Sequence, residues 1–175
     1  MTERVHNFSA GPCTLPLSVL EESQVEFVDY HGAGMSLIEM SHRGKHFVAV
    51  HEEAVDLVRT VYGVPDEFDV LFLQGGATLQ FAMVPMNLLN SGEKGAYVNS
   101  GTWAKGAIAD AQHYGDVYTA WDGTECNFTR MPKTDEIEIQ SDTRYLHLTS
   151  NETIGGIRFA DWPKADIPLV GDMSS

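Results

Sequence analysis

The sequence is poor in cysteine and in positive charge, and it has no long hydrophobic run. Its two cysteines, Cys13 and Cys126, lie far apart with no Cys-x-x-Cys or Cys/His ligand spacing, which argues against a disulfide framework and a zinc site. A reducing, cytoplasmic location is therefore expected. Eleven Lys and Arg face twenty-five Asp and Glu, for a formal charge of -14, and no stretch gathers the basic residues into a stripe that would neutralise a polyphosphate. Nucleic acid is not an expected partner. Nowhere do the roughly eighteen apolar residues of a membrane span run together. The first residues, Met1-Thr2-Glu3-Arg4-Val5-His6, carry no apolar core of a secretory signal. Internal repeats and low-complexity segments are absent too, so a soluble globular chain is expected.

What is present is a chain of 175 residues, 43% hydrophobic, enough for one sizeable core. Pro16 suits a helix start, and the apolar spacing after it predicts a first helix to Tyr30. A flexible His31-Gly32-Ala33-Gly34 stretch and a short segment, Ser36 to Met40, come next. A second helix is predicted from about His46 to Tyr62, with Phe47, Val50, Ala54, Leu57, Val58 and Val61 as its apolar face and Gly63 and Pro65 as its stop. From there strands alternate with helices: a strand at Val70–Leu73, a helix at 78–89, a strand at 96–99, a helix at 103–114. Further strands are expected at 116–120, 144–148 and 169–170, with a loop or hairpin-like region between Trp121 and Asp142. Pro85 should kink the third helix. This alternation implies an α/β fold with a mainly parallel sheet.

Four predicted strand ends carry polar or glycine-rich residues. After Leu73, Gln74-Gly75-Gly76-Ala77-Thr78 leads into a helix, where free amides and the helix dipole suit a phosphate; an ordinary tight turn meets the same pattern. After Asn99, Ser100-Gly101-Thr102 leads to Trp103, whose indole suits stacking on a planar ligand, or plain core packing. Thr149-Ser150-Asn151-Glu152-Thr153 gathers side-chain oxygens, as a ligand site or an Asx or Ser/Thr turn would. Asp172 follows the apolar run Ile167–Val170. A carboxylate there can keep a pyridine nitrogen protonated, and in an open α/β sheet all four places share the ligand-binding edge. Arg43 offers a planar guanidinium for carboxylate or phosphate, or is a solvated residue at a helix start. His6, His31, His46, His51, His113 and His147 show no ligand spacing and read as surface or ordinary core residues.

Five segments carry a specific resemblance: Asn7-Phe8-Ser9-Ala10-Gly11-Pro12, Met40-Ser41-His42-Arg43-Gly44-Lys45, Phe72-Leu73-Gln74-Gly75-Gly76, Asn151-Glu152-Thr153-Ile154-Gly155-Gly156 and Asp172-Met173-Ser174-Ser175. In order and spacing the chain resembles the N-terminal half of the phosphoserine aminotransferase family, class-V aminotransferases of fold-type I. The resemblance implies the large domain of a pyridoxal 5'-phosphate enzyme, a mainly parallel sheet with helices on both faces, here truncated. Residues 1–15 would form an N-terminal arm near the active site, and 16–175 the first part of the cofactor-binding domain.

By the same resemblance, Gly76 and Ala77 give backbone amides to the cofactor phosphate, Trp103 stacks on its ring, Thr153 contacts its hydroxyl and Asp172 its ring nitrogen. Ser9 and Arg43 lie near the substrate carboxylate, with His42 and Arg43 close to the substrate phosphate in a homodimer. Ala77 and Thr78 depart from the bulkier and basic residues common there in the family, which leaves that turn its backbone amides alone.

The family's Schiff-base lysine follows the Asp172 segment and is absent from these residues; Lys45, Lys94, Lys105, Lys133 and Lys164 do not occupy its context. The chain alone is expected to lack full transaminase activity and, with its sheet incomplete between Val70–Leu73 and Leu169–Val170, to be poorly soluble or oligomeric. The whole enzyme would interconvert phosphoserine and 2-oxoglutarate with 3-phosphohydroxypyruvate and glutamate in serine synthesis. The alternatives are a non-catalytic chain that only binds cofactor or a partner chain, and another fold-type I aminotransferase. No metal is expected.

Overall fold

The computed structural model describes residues 4–9 and 13–175. The motif residues Ala10, Gly11 and Pro12, and the first three residues of the expected arm and signal-free start, lie outside them. The chain forms two compact units, Met1–Phe72 and Leu73–Ser175.

In the first unit, α1 (Leu17–Glu26) is shorter than expected from its apolar spacing. The chain turns before Tyr30 because the Asp29 carboxylate accepts the Gly34 amide at 2.7 Å and Gly32 and Gly34 take left-handed φ of 77° and 74°. The Ser36–Met40 segment holds a single 3-10 turn, Leu37–Glu39, closed by a capping box between Ser36 and Glu39. Next, α2 (Lys45–Tyr62) runs as predicted and ends where left-handed Gly63, φ 62°, returns its amide to the Arg59 carbonyl. The Arg59 guanidinium then holds the following loop by donating to the carbonyls of Pro65 and Phe68 at 3.1 and 2.6 Å. No residue of α1 or α2 is buried. Of the predicted apolar face of α2, Leu57 and Val61 are exposed, while Phe47, Val50, Ala54 and Val58 are half-buried.

The expected strand at Val70–Leu73 is not formed. Its residues have no ladder partner, and Leu71, Phe72 and Leu73 are more than half exposed. A β-branched and apolar run becomes a strand only where a neighbour satisfies its amides and carbonyls, and none does here.

The second unit is built on four parallel strands: β1 (Lys94–Asn99), β2 (Asp116–Asp122), β3 (Thr143–Thr149) and, later in the chain, β6 (Leu169–Asp172). A two-stranded antiparallel ladder, β4 (Asn151–Glu152) with β5 (Ile157–Arg158), follows β3. The helices α3 (Gly76–Leu88) and α4 (Thr102–Ala111) complete it. The strand order is β2-β1-β3-β6. Chain progress runs from β1 outward to β2 through α4, then returns past β1 to β3 and on to β6, so direction reverses between β1 and β3.

One sheet face buries Tyr97 and Tyr145 against Phe81 of α3 and Ala107 and Ala111 of α4. Alanines at 104, 107 and 111 make the inner stripe of α4 and let the helix approach closely. The two phenols share a hydrogen bond of 2.8 Å, and burial pushes the Tyr97 hydroxyl well above the usual tyrosine range. Gly95 makes room for this pair, since a Cβ there would lie 2.7 Å from the Tyr145 oxygen. The opposite face buries Ala96, Val98, Ala120, Leu146 and Leu148, packed against Trp121 of β2 and against Ile137, Phe159 and Ile167 of irregular segments. Within the expected loop between Trp121 and Asp142, two 3-10 turns form, at Gly123–Cys126 and Thr134–Glu136. The bidentate Arg130–Glu136 pair, 2.7 Å at each contact, pins this loop and holds the Glu136 carboxyl down to about 2.

His147, expected as an ordinary surface or core residue, stands on the helix-covered face, stacked on Tyr97 at 4.8 Å and almost fully buried. Burial pushes its imidazole down to about 4, against a small upward pull from Asp172. A depressed folded value means stability that is complete above the unfolded value of 6.5 and is lost as pH falls toward 4. Between about pH 7.5 and pH 5 the chain is expected to lose about 2 kcal/mol from this group, and His147→Phe should remove most of that slope. Urea unfolding at both pH values measures it; equal slopes in both proteins would assign the acid sensitivity to other groups.

Candidate functional site

The carboxyl ends of β1, β3 and β6 converge on the edge where the strand order reverses, the place at which open α/β sheets bind ligands. Three features lie along these strand ends, all within the second unit.

The first is the glycine turn before α3. Gly75 and Gly76 have φ of 90° and 60°, both left-handed, and Gly75 stands at the N-cap with no capping side chain. The amides that open α3 are thus left to an outside acceptor, with the positive end of the helix behind them. Ala77, in the first turn, lines a cleft of about 450 Å3 together with Gln80, Phe81, His147 and Asp172.

The second is Asp172, the last residue of β6, at the far wall of that cleft. Its Oδ1 accepts from the amide and hydroxyl of Ser174. Among the described residues no donor reaches Oδ2 of this cleft-lining carboxylate. His147 Nδ1 and Thr149 Oγ1, buried on the strand beside β6, also lack a partner. Orphaned polar atoms at a strand end mark a place built for a polar occupant.

The third joins β1 to β3 across the reversal. Trp103, in the first turn of α4, is 43% exposed, so its ring is not ordinary core. Its indole Nε1 donates to Thr153 Oγ1 at 2.8 Å. Beneath it Glu152, only 1% exposed, accepts from Ser100 Oγ at 3.1 Å and from the amides of Trp103 and Ala104 at 3.0 Å each. Sequence reasoning placed Glu152 in a polar cluster and gave it no role. The available signal was Gly101, a helix N-cap without a side chain, preceded by a strand and served by an acid elsewhere.

The structure thus brings Ala77 and Asp172 to one cleft and Trp103 and Thr153 into a direct hydrogen bond; Trp103 and Thr153 are not part of the cleft wall. Ser9, His42 and Arg43 belong to the first unit. Ser9 is exposed, its amide bound to Asn7 Oδ1 at 2.9 Å. His42 and Arg43 are exposed in the loop before α2, and among the described residues the Arg43 guanidinium meets no carboxylate. No lysine of the second unit lines the cleft: Lys94 bonds Gln140 at 3.2 Å, Lys105 lies over the Phe128 ring at 4.3 Å, and Lys133 and Lys164 sit elsewhere. No cluster of three or more His, Cys, Asp or Glu suited to a metal occurs among the described residues.

The model of the aminotransferase class-V family matches residues 5–165. The chain belongs to the class-V aminotransferases. It is similar to phosphoserine aminotransferase of Niallia circulans, 49% identical over all of this chain and 49% of that protein. It is similar also to that of Nitrosomonas europaea, 47% identical over 98% of this chain and 49% of the relative. A solved phosphoserine aminotransferase from Bacillus circulans subsp. alkalophilus superimposes with a TM-score of 0.93 at 50% identity, covering 99% of this chain and 48% of its own. A pyridoxal-phosphate-bound phosphoserine aminotransferase from Trichomonas vaginalis does so at 0.88 and 36% identity, covering 97% of this chain and 48% of its own. The chain therefore spans about half the length of the curated relatives it matches.

The two glycines are not equivalent. A Cβ on Gly75 would lie 2.6 Å from the Leu79 Cβ, whereas one on Gly76 would meet open space. Gly76→Ala is expected to cost about 1 kcal/mol of backbone strain, and Gly75→Ala about 2 to 3 because the first turn of α3 must also move. Chemical denaturation of both variants checks the order; an equal cost would show that Leu79 yields freely.

Proposed function

We propose that this chain serves a phosphoserine aminotransferase, which interconverts phosphoserine plus 2-oxoglutarate with 3-phosphohydroxypyruvate plus glutamate and uses pyridoxal 5'-phosphate. The observation that carries the proposal is the convergence of the uncapped α3 turn and Asp172 on one cleft, beside the hydrogen-bonded Trp103–Thr153 pair. About half identity to enzymes of that name along the whole chain supports the substrate.

The residues present fit the cofactor on grounds of their own chemistry. The free amides of Gly76 and Ala77 suit a phosphate dianion, since they donate from the positive end of a helix. Trp103 offers an open indole face, fixed in angle by Thr153. Thr153 retains hydroxyl capacity for a phenolic oxygen, as a hydroxyl both donates and accepts. The unpaired Oδ2 of Asp172 suits a protonated ring nitrogen, where it holds the proton in place. When bound, pyridoxal 5'-phosphate supplies the electron sink for a substrate carbanion. Covalent attachment is not assigned to any of the five lysines of the chain.

In the first unit, Arg43 presents a free guanidinium that binds a carboxylate or phosphate bidentately. With Ser9 and His42 it forms the proposed substrate group: Ser9 and Arg43 toward the carboxylate, His42 and Arg43 toward the phosphate. In a chain of net charge -14 an anionic substrate needs such local positive charge. Residues 1–15 act in this scheme as an arm near the active site and 16–175 as the start of the cofactor-binding large domain. The working form is a homodimer in the cytoplasm; among the described residues no helix is long and apolar enough to cross a membrane.

Two substitutions in the full-length enzyme test the proposal. Asp172→Asn should leave the fold and remove most amino transfer, because the ring nitrogen loses its anionic partner. Turnover of phosphoserine with 2-oxoglutarate reads this, and activity within a few fold of the parent would refute the role. Arg43→Ala should lower kcat/KM for phosphoserine and for glutamate roughly ten- to a hundredfold, the loss of about 1.5 to 3 kcal/mol for a charged bidentate contact, with cofactor affinity unchanged. Unaltered kinetics for both substrates would leave Arg43 a solvated residue.

A further inference from the structure

Glu152 is the most completely buried acid among the described residues, and none of its partners is a cation. An ionised carboxylate out of water needs strong compensation. Here one oxygen accepts Ser100 Oγ and the Ala104 amide, and the other accepts the Trp103 amide. Two of those donors are first-turn amides of α4, whose positive end adds to the stabilisation. The acid from β4 thus caps a helix about fifty residues earlier in the chain, at the boundary between β1 and β3.

A local Ser, Thr, Asp or Asn at position 101 would cap α4 more simply. Position 101 is instead a buried glycine, and a Cβ there would lie 2.7 Å from Glu152 Cδ and 2.8 Å from its Oε2. The glycine vacates the space that the carboxylate fills. The next residue along, Thr153, accepts the indole proton of Trp103. Consecutive residues of one short segment therefore hold Trp103 at two points, its backbone amide by Glu152 and its ring by Thr153. Trp103 is 43% exposed, so packing alone does not fix the direction of its ring.

We infer that Glu152, seated by Gly101, is a positioning residue that sets the plane of the Trp103 ring against the cofactor. The inference rests on the ring-stacking role proposed above for Trp103. Helix capping by Glu152 stabilises the fold in any case; the added claim is that its charge also orders the indole, so that cofactor affinity depends on Glu152 only while the indole is present.

A mutant cycle in the full-length enzyme tests this, with the dissociation constant for pyridoxal 5'-phosphate and thermal stability as separate readouts. Glu152→Gln should weaken cofactor binding about tenfold, the size expected for a lost charge-assisted contact. In the Trp103→Ala background the same change should weaken it less than about twofold, while the drop in stability stays the same in both backgrounds. Fluorine NMR of 5-fluorotryptophan-labelled apoenzyme should show the Trp103 resonance shifted or broadened by Glu152→Gln, with Trp121 and Trp162 unmoved. Gly101→Ala should reproduce both effects and add little to Glu152→Gln.

An equal affinity loss in both backgrounds, or a stability loss with affinity and the Trp103 resonance unchanged, would reduce Glu152 to a helix cap and overturn the inference. If Trp103→Ala itself leaves cofactor affinity unaltered, ring stacking fails and the inference falls with it. Should Glu152→Gln not fold, Glu152→Asp, which keeps the charge and withdraws it from the amides, enters the same cycle with the same criteria.

Discussion

Pairing of β1 with β3 is the constraint from which the second unit follows. The two strands lie side by side in parallel register, Tyr97 opposite His147, although they are separated in sequence by α4, β2 and the long loop after it. Because β2 occupies the other edge of β1, the chain must reverse its direction of progress at this pair. The boundary between the two carboxyl ends is filled by buried Ser100, Gly101 and Glu152, and the open cleft lies beside it, between α3 and the ends of β3 and β6. The pairing thereby brings Ser100 and Gly101 of one strand end against Glu152 of the other.

Electrostatics at these strand ends depend on backbone more than on side chains. In a chain with more than twice as many acids as bases, the first turns of α3 and α4 supply positive potential where few cations are at hand. The structure uses the two turns differently. At α3 the amides have no capping side chain and remain open to an outside anion. At α4 the anion is internal, the Glu152 carboxylate, and the turn serves to hold Trp103. One helix end is left open and the other is closed by a distant acid.

The first unit contributes a different kind of element. Its helices form from local signals, Pro16 before α1 and left-handed Gly63 after α2, without burying any of their residues. Arg43 emerges from it with its guanidinium free of carboxylates among the described residues. Exposed Leu57, Val61, Leu71 and Phe72 show how much apolar surface this stretch leaves in contact with water.

The sequence by itself determined the α/β alternation, the extents of α2, β1 and β3 to within a few residues, and the resemblance that pointed to Gly76, Ala77, Trp103, Thr153 and Asp172. Those are local properties: apolar period, glycine turns and motif order leave direct marks along a chain. It overstated Val70–Leu73, because a strand is a relation to a neighbour and the apolar run names no partner. It passed over Glu152 and took His147 as ordinary. Nothing next to Glu152 reveals that its carboxylate reaches amides in α4, and nothing next to His147 reveals that it lies buried, with an unpaired nitrogen, in the cleft that Asp172 also lines. Only the tertiary structure decided those contacts, since burial and long-range hydrogen bonding arise when the β1 and β3 ends are brought together.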